Sequence, residues 1–263
     1  MESQTTAEKF EFDYYIALGD SMSIDLYPAT DAKNIDGCHN DNLGAASLLL
    51  VNDDFLFPEF RGKDLSTLNK RLSFANLAFD GATTSDLLQE LDALRQFAGK
   101  RCFVTLTIGG NDLLACLRLK AVYGSVPVSE VESIFDRLVQ IVRAIETILP
   151  QSHLIINSIY DPTDGTGRFT ESNLFDGQLP VELLVYLNYL IEKFAQNSAQ
   201  KSAGTKEGGL SISFCNIYKH FLGHGMSSSD GSFWYWRPHP IEPGYLGASE
   251  IRRLWWQAVQ ALA

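Results

Sequence analysis

Apolar residues in this chain gather in five short runs: YYIALG (14–19), SFANLA (73–78), CFVTLTIGG (102–110), HLIINSIY (153–160) and LSISFCNI (210–217). Each is rich in β-branched or aromatic residues and closes on Gly, Asn, Asp or Ser, as strands buried on both faces of a parallel sheet do. Between the runs the apolar spacing becomes helical. The segment TTSDLLQELDALRQF predicts a helix with Thr84 or Ser85 as N-cap, and SEVESIFDRLVQIVRAIETIL (129–149) a longer one. In the latter, Ser129 is the expected cap, Glu132 completes a capping box and Pro150 ends the helix. PVELLVYLNYLIEKFAQNSAQ (180–200) opens on Pro180, and the closing GASEIRRLWWQAVQALA gathers Ile251, Leu254, Trp255, Ala258, Val259 and Leu262 on one face.

Strands alternating with helices of this length imply right-handed crossovers and an open parallel sheet covered on both faces. No repeat, low-complexity tract or linker divides the 263 residues, so a single α/β domain is expected, with residues 1–12 as a flexible N-terminus. Residues 25–70 and 161–179 fit the scheme poorly. They are long, polar and rich in Gly and Asp, as functional or mobile loops are.

Charge and cysteine usage narrow the class. A net charge of −11 argues against nucleic acid or an anionic membrane as partner. No window approaches the roughly 18 apolar residues of a membrane span, and the polar, acidic start does not read as a signal peptide, so a cytoplasmic protein is expected. The four cysteines are scattered, with Cys102 and Cys215 in apolar runs as buried thiols. His220 and His224 stand four apart, but Gly223 and Gly225 interrupt a helix and no acidic or Cys partner is adjacent, so no metal is expected there.

In an open parallel sheet, ligands bind beyond the carboxyl ends of the strands. The first run ends in Gly19-Asp20-Ser21, the second leads into NLAFDGATT with Gly81, and the third into Gly109-Gly110-Asn111-Asp112. Each alone is an ordinary turn or helix cap. Together they bring a hydroxyl, a glycine amide and a carboxamide to one rim, which are the parts acyl transfer needs: a nucleophile and donors for a developing oxyanion.

With LGDSMS, NLAFDGATT and TIGGNDLL in that order, the chain resembles the SGNH hydrolase superfamily, also called GDSL esterases or lipases. The resemblance implies a flavodoxin-like three-layer α/β/α sandwich with a five-stranded parallel sheet in order 2-1-3-4-5, and no cofactor. It further implies Ser21 as nucleophile and an oxyanion hole from the Ser21 N–H, the Gly81 N–H and the Asn111 side chain. Asp20 would stabilise the strand-end turn.

The family's last motif, Asp-x-x-His-Pro, is matched only partly by GSFWYWRPHPIEPGYLGASEIRRLW. His239-Pro240 supplies the His-Pro pair, with Gly244 five residues after the His, but Trp236 stands where the Asp is expected. In a second register Glu242-Pro243 takes the place of His-Pro, with Gly247 five residues on; His239 then occupies the acid's slot and Glu242 the base's. The chain also resembles a branch in which an IEP segment follows a GHG segment, which makes His224 a rival imidazole. His239 is the first expectation as general base, because a carboxylate of ordinary pKa matches a serine hydroxyl poorly unless burial raises it.

Around these residues, Trp234 and Trp236 are candidates for a substrate wall or for aromatic core, and Asp25 and YDPTDGT for substrate or loop-ordering roles. The leading expectation is a serine esterase acting on a small-molecule carboxylic ester. An acyltransferase and a non-catalytic binding module remain as alternatives, and an electron-transfer flavoprotein is compatible with the fold alone.

Overall fold

The computed structural model describes residues 10–169, 179–203, 209–226 and 228–262. Five strands, β1 (Tyr14–Gly19), β2 (Ser73–Asn76), β3 (Cys102–Thr107), β4 (His153–Asn157) and β5 (Ser211–Cys215), form one parallel sheet in the order β2-β1-β3-β4-β5. The helices are α1 (Leu26–Ala32), α2 (Ala45–Leu50), α3 (Leu65–Leu68), α4 (Thr84–Glu90), α5 (Gly110–Tyr123), α6 (Val128–Ile148), α7 (Val181–Ala203), α8 (Ile217–Phe221) and α9 (Tyr245–Gln260).

Alternate side chains of each strand feed two cores. Ile16, Leu18, Val104, Leu106, Leu154 and Ile156 point to the layer of α4, α6 and α7, where α6 buries Val131, Ile134, Leu138, Ile141, Val142 and Ile145 at helical spacing. Tyr15, Ala17, Phe103 and Ile155 point to the opposite layer, where α1 and α2 pack on α9. That double burial is why the strands read as continuous apolar runs. The sheet order and the three layers agree with the expected architecture. Among the described residues no helix is long and apolar enough to cross a membrane.

Helix starts differ from the sequence reading. The cap of α4 is Thr83, which accepts from the Asp86 amide while the Asp86 carboxylate accepts from the Thr83 amide, so the capping box lies upstream of Thr84 and Ser85. Beyond Glu90 the helix tightens to 3₁₀ geometry over Leu91–Phe97. Helix α6 begins at Val128, and the extended backbone of Pro127, not the Ser129 hydroxyl, turns the chain into it. Helix α9 starts at Tyr245, and Leu262 at its end is exposed.

Within residues 25–70 the chain forms short helices instead of open loop. Residues 170–178 of the second expected loop lie outside the described residues, as do residues 1–9. Phe10, inside the expected flexible N-terminus, is buried with its ring 5.4 Å from Phe103. All four cysteines are free thiols, and Cys102 and Cys215 are buried as expected.

Candidate active site

Strand β1 delivers Ser21 to the carboxyl edge of the sheet through a glycine that nothing else can replace. Gly19 has φ +123°, and a Cβ there would sit 1.6 Å from the Thr107 carbonyl oxygen on β3. The Asp20 amide donates to that same carbonyl at 2.9 Å. Asp20 then turns the chain into a short 3₁₀ segment, Ser21–Ser23, by accepting from the Met22 amide at 3.2 Å. Burial drives the Asp20 carboxyl up to about 7, against the Met22 hydrogen bond that favours its ionised form. Asp20 is therefore a turn-stabilising residue that also lines the cleft described below.

Glu242 lies near Ser21: both line one cleft, and burial lifts the Glu242 carboxyl to about 7 although the nearby Ser21 hydroxyl favours its ionised form. Glu242 is only 5% exposed, and its Oε2 has no partner among the described residues. Two successive turns place it: the His239 amide donates to the Trp236 carbonyl at 3.0 Å, and the Glu242 amide to the His239 carbonyl at 2.9 Å. Outer rungs from the Trp236 amide to the Glu242 carbonyl and from the Gly244 amide to the Trp234 carbonyl close the loop into a hairpin. The buried Tyr160 hydroxyl clamps it by donating to the Ile241 carbonyl at 2.7 Å.

His239 stands behind Glu242. Its Nδ1 is 3.5 Å from Glu242 Oε1, too far for a good hydrogen bond, and burial lowers its pKa. A neutral ring is thus favoured there. Glu242 lines the cleft together with Ser21, and His239 does not.

Two of the donors expected from the sequence, Gly81 and Asn111, sit on neighbouring helix starts that are tied together. Gly81 has φ +74° in the turn before α4, and among the described residues the amides of Ser21 and Gly81 have no acceptor. Asn111, in the first turn of α5, donates one Nδ2 hydrogen to the Ala82 carbonyl at 2.9 Å, which leaves a second for a ligand. Asp112 ties these two helix starts together. It accepts from the Thr84 amide at 2.8 Å and hydroxyl at 2.6 Å, and Arg137 of α6 braces both by donating to Asp112 at 3.1 Å and to Thr84 at 2.7 Å.

Ser21, Asp20, Asn111 and Glu242 share one cleft, partly open to solvent. Its remaining walls are apolar, among them Met22, Leu113, Ile159, Pro180, Leu184 and Ile241.

Other candidates lie elsewhere. The His224 ring stacks on Trp234 at 3.4 Å between centroids, with Nδ1 donating to the Ser232 carbonyl at 2.8 Å, and neither ring lines the cleft. Trp234 also packs edge-on against Phe221, so it belongs to the core. Trp236 lies on the rim, 5.3 Å from Tyr27. Asp25 accepts from the Gly44 amide and the Ser47 hydroxyl, fastening α2 to the strand end, which is a loop-ordering role.

The DPTDGT segment orders itself and its neighbour. Fully buried Asp161 accepts from the Thr163 amide and hydroxyl and the Gly165 amide, while Asp164 accepts from the amides of Gly223 and Gly225. A Cβ on Gly225 would meet the Pro162 carbonyl at 2.3 Å, so the GHG glycines serve this docking.

The sequence offered Thr84 only as a helix cap, Asp112 only as part of the GGND block and Tyr160 only within YDPTDGT, and Arg137 carries no local signal.

No family model and no curated protein matches the chain. Solved structures do. An acetyl xylan esterase from Geobacillus stearothermophilus superposes with TM-score 0.57 at 15% identity, covering 94% of each chain. A member of the lipolytic G-D-S-L family from Veillonella parvula gives 0.54 at 14% identity, covering 94% of this chain and 98% of that one. A phospholipase A1 from Streptomyces albidoflavus gives 0.51 at 19% identity, covering 96% and 100%. The chain thus has the SGNH/GDSL hydrolase fold over about nineteen-twentieths of its length.

Proposed function

We propose that the chain is a serine ester hydrolase in which Ser21 is the nucleophile and Glu242 the general base. The observation that carries this reading is a buried carboxyl held near pKa 7 that lines the same apolar cleft as the Ser21 hydroxyl. A base works best when its pKa lies near the working pH. Burial gives Glu242 that property, which removes the objection to a carboxylate.

The steps follow from the placement. Ser21 Oγ attacks the acyl carbon and its proton passes to Glu242. The carbonyl oxygen, now negative, accepts from the Ser21 and Gly81 amides and from the remaining Asn111 hydrogen. As the tetrahedral adduct collapses, the C–O bond to the alcohol breaks and protonated Glu242 returns the proton to the leaving oxygen. Water then attacks the acyl-enzyme, Glu242 takes its proton, and Ser21 leaves with that proton as the acid is released. His239 is a positioning residue: its Nδ1 faces Glu242 Oε1 and fills the space behind it, and His224 takes no part.

The fold likeness to esterases and lipases supports ester hydrolysis as the reaction class. The apolar lining supports an acyl group carried by Met22, Leu113, Ile159 and Leu184. Labelling with a fluorophosphonate, followed by peptide mapping, tests the assignment. Ser21 is expected to carry the label, Glu242→Gln to abolish it, and His224→Ala to leave it intact. An unlabelled wild-type protein sinks the hydrolase reading in favour of a binding module.

A further inference from the structure

Outside the apolar cleft, the rim behind Glu242 is aromatic and acidic. The Tyr27 ring lies 5.3 Å from Trp236 and 6.2 Å from His239, the latter pair inclined by only 22°. The Tyr27 hydroxyl donates to Asp80 Oδ2 at 2.9 Å. Asp80 is exposed, directly precedes Gly81, and among the described residues has no ion-pair partner within 4 Å. None of these four residues lines the cleft, yet His239 reaches Glu242. The geometry points to a subsite here for a cationic leaving group, so that the substrate is an ester of a quaternary or protonated amino alcohol. This rests on the hydrolase reading of Ser21.

Two physical features favour a cation over a neutral alcohol. A ring face that a ligand can reach attracts an ammonium group through its quadrupole, Trp most strongly, and the Trp236 and Tyr27 rings are both only half-buried. The local charge is also one-sided. Asp80 acts on Tyr27, His239 and Glu242 alike, and the nearest titratable imidazole is favoured neutral by its burial. Arg237, in the same hairpin, lies over Phe233 at 4.6 Å. A cation bound against Asp80 adds an ion pair to the hydrogen bond from Tyr27, which a neutral alcohol cannot.

The test compares acetylcholine with its uncharged isostere, 3,3-dimethylbutyl acetate, by calorimetric titration of the Ser21→Ala protein, which binds without turning over. Acetylcholine is expected to bind about tenfold more tightly, and Asp80→Asn or Trp236→Ala in the same background to erase most of that preference. Equal affinities, no binding of either ester, or a preference untouched by both substitutions overturns the subsite. Fluorophosphonate labelling of the native protein separates the two readings. A labelled Ser21 with equal affinities sinks the subsite alone, and an unlabelled Ser21 with a tenfold preference sinks the hydrolase and keeps the subsite.

Discussion

The Thr84 hydroxyl and the Asp112 carboxylate are joined at 2.6 Å across two helix starts that are remote in sequence. That bond, doubled by the Thr84 amide and braced by Arg137, sets where Gly81 stands relative to Asn111. Asp112→Ala removes a buried acceptor and strands its donors, so a loss of about 3 kcal/mol in unfolding free energy is expected. Asp112→Asn is the milder probe. It is expected to lower kcat for a p-nitrophenyl ester by about tenfold to a hundredfold, less than the roughly hundredfold to thousandfold of a donor removed outright, while leaving the pH midpoint where it was. Urea titration and a pH–rate profile of the two variants check both statements.

The pH profile itself distinguishes a carboxylate base from an imidazole. With Glu242 held at about 7, kcat/KM is expected to rise with pH through a midpoint near neutrality. Carboxyl groups ionise with almost no heat, whereas imidazolium does not. The midpoint is therefore expected to stay fixed between 10 and 40 °C. A midpoint that falls steadily on warming would point to histidine.

Stability supplies an independent reading of the same residue. The folded pKa of Glu242 lies above the ordinary carboxyl value of 4.5, so the native state binds the proton more tightly than the unfolded chain does. Its contribution is fully present below the unfolded value and is lost as pH rises through about 7. Glu242→Gln cannot titrate. Relative to wild type at pH 4.5, the variant is expected to gain roughly 3 kcal/mol by pH 8, while kcat/KM falls about a thousandfold, within the range for loss of a general base. His239→Ala is expected to lose less activity. Thermal melts of wild type and Glu242→Gln from pH 4 to 8 measure the crossing of the two curves.

Gly19→Ala probes the strand end. A methyl group there collides with the Thr107 carbonyl, and the positive φ excludes an easy escape. A destabilisation of about 3 kcal/mol or more is expected, read as a large drop in Tm together with loss of fluorophosphonate labelling in whatever protein remains folded.

Buried Arg252 shows where sequence patterning stops. It lies on the apolar face of α9 and reads there as an interruption, yet it is fully buried, donating to Asn52 and Ser249 at 2.8 Å each with its guanidinium 3.6 Å above the Phe60 ring. None of these partners except Ser249 is near it in the chain. The same holds for Tyr160, whose hydroxyl sets the hairpin from 81 residues away.

What the chain's order of residues determined by itself was the sheet, its two covered faces and the three strand ends. Those features are local: double burial makes continuous apolar runs, and Gly19, Gly81 and Asn111 are dictated by turns a few residues long. The surroundings of Glu242 were decided only by tertiary structure. Sequence offered His239 and Glu242 in two registers and His224 from the GHG segment, with His239 as the first expectation because a carboxylate at ordinary pKa is a poor base for serine. Two stacked turns and the Tyr160 clamp carry Glu242 into the cleft that Ser21 lines, and burial changed its acidity. Neither desolvation nor contact over such distances is written in any short stretch of the chain.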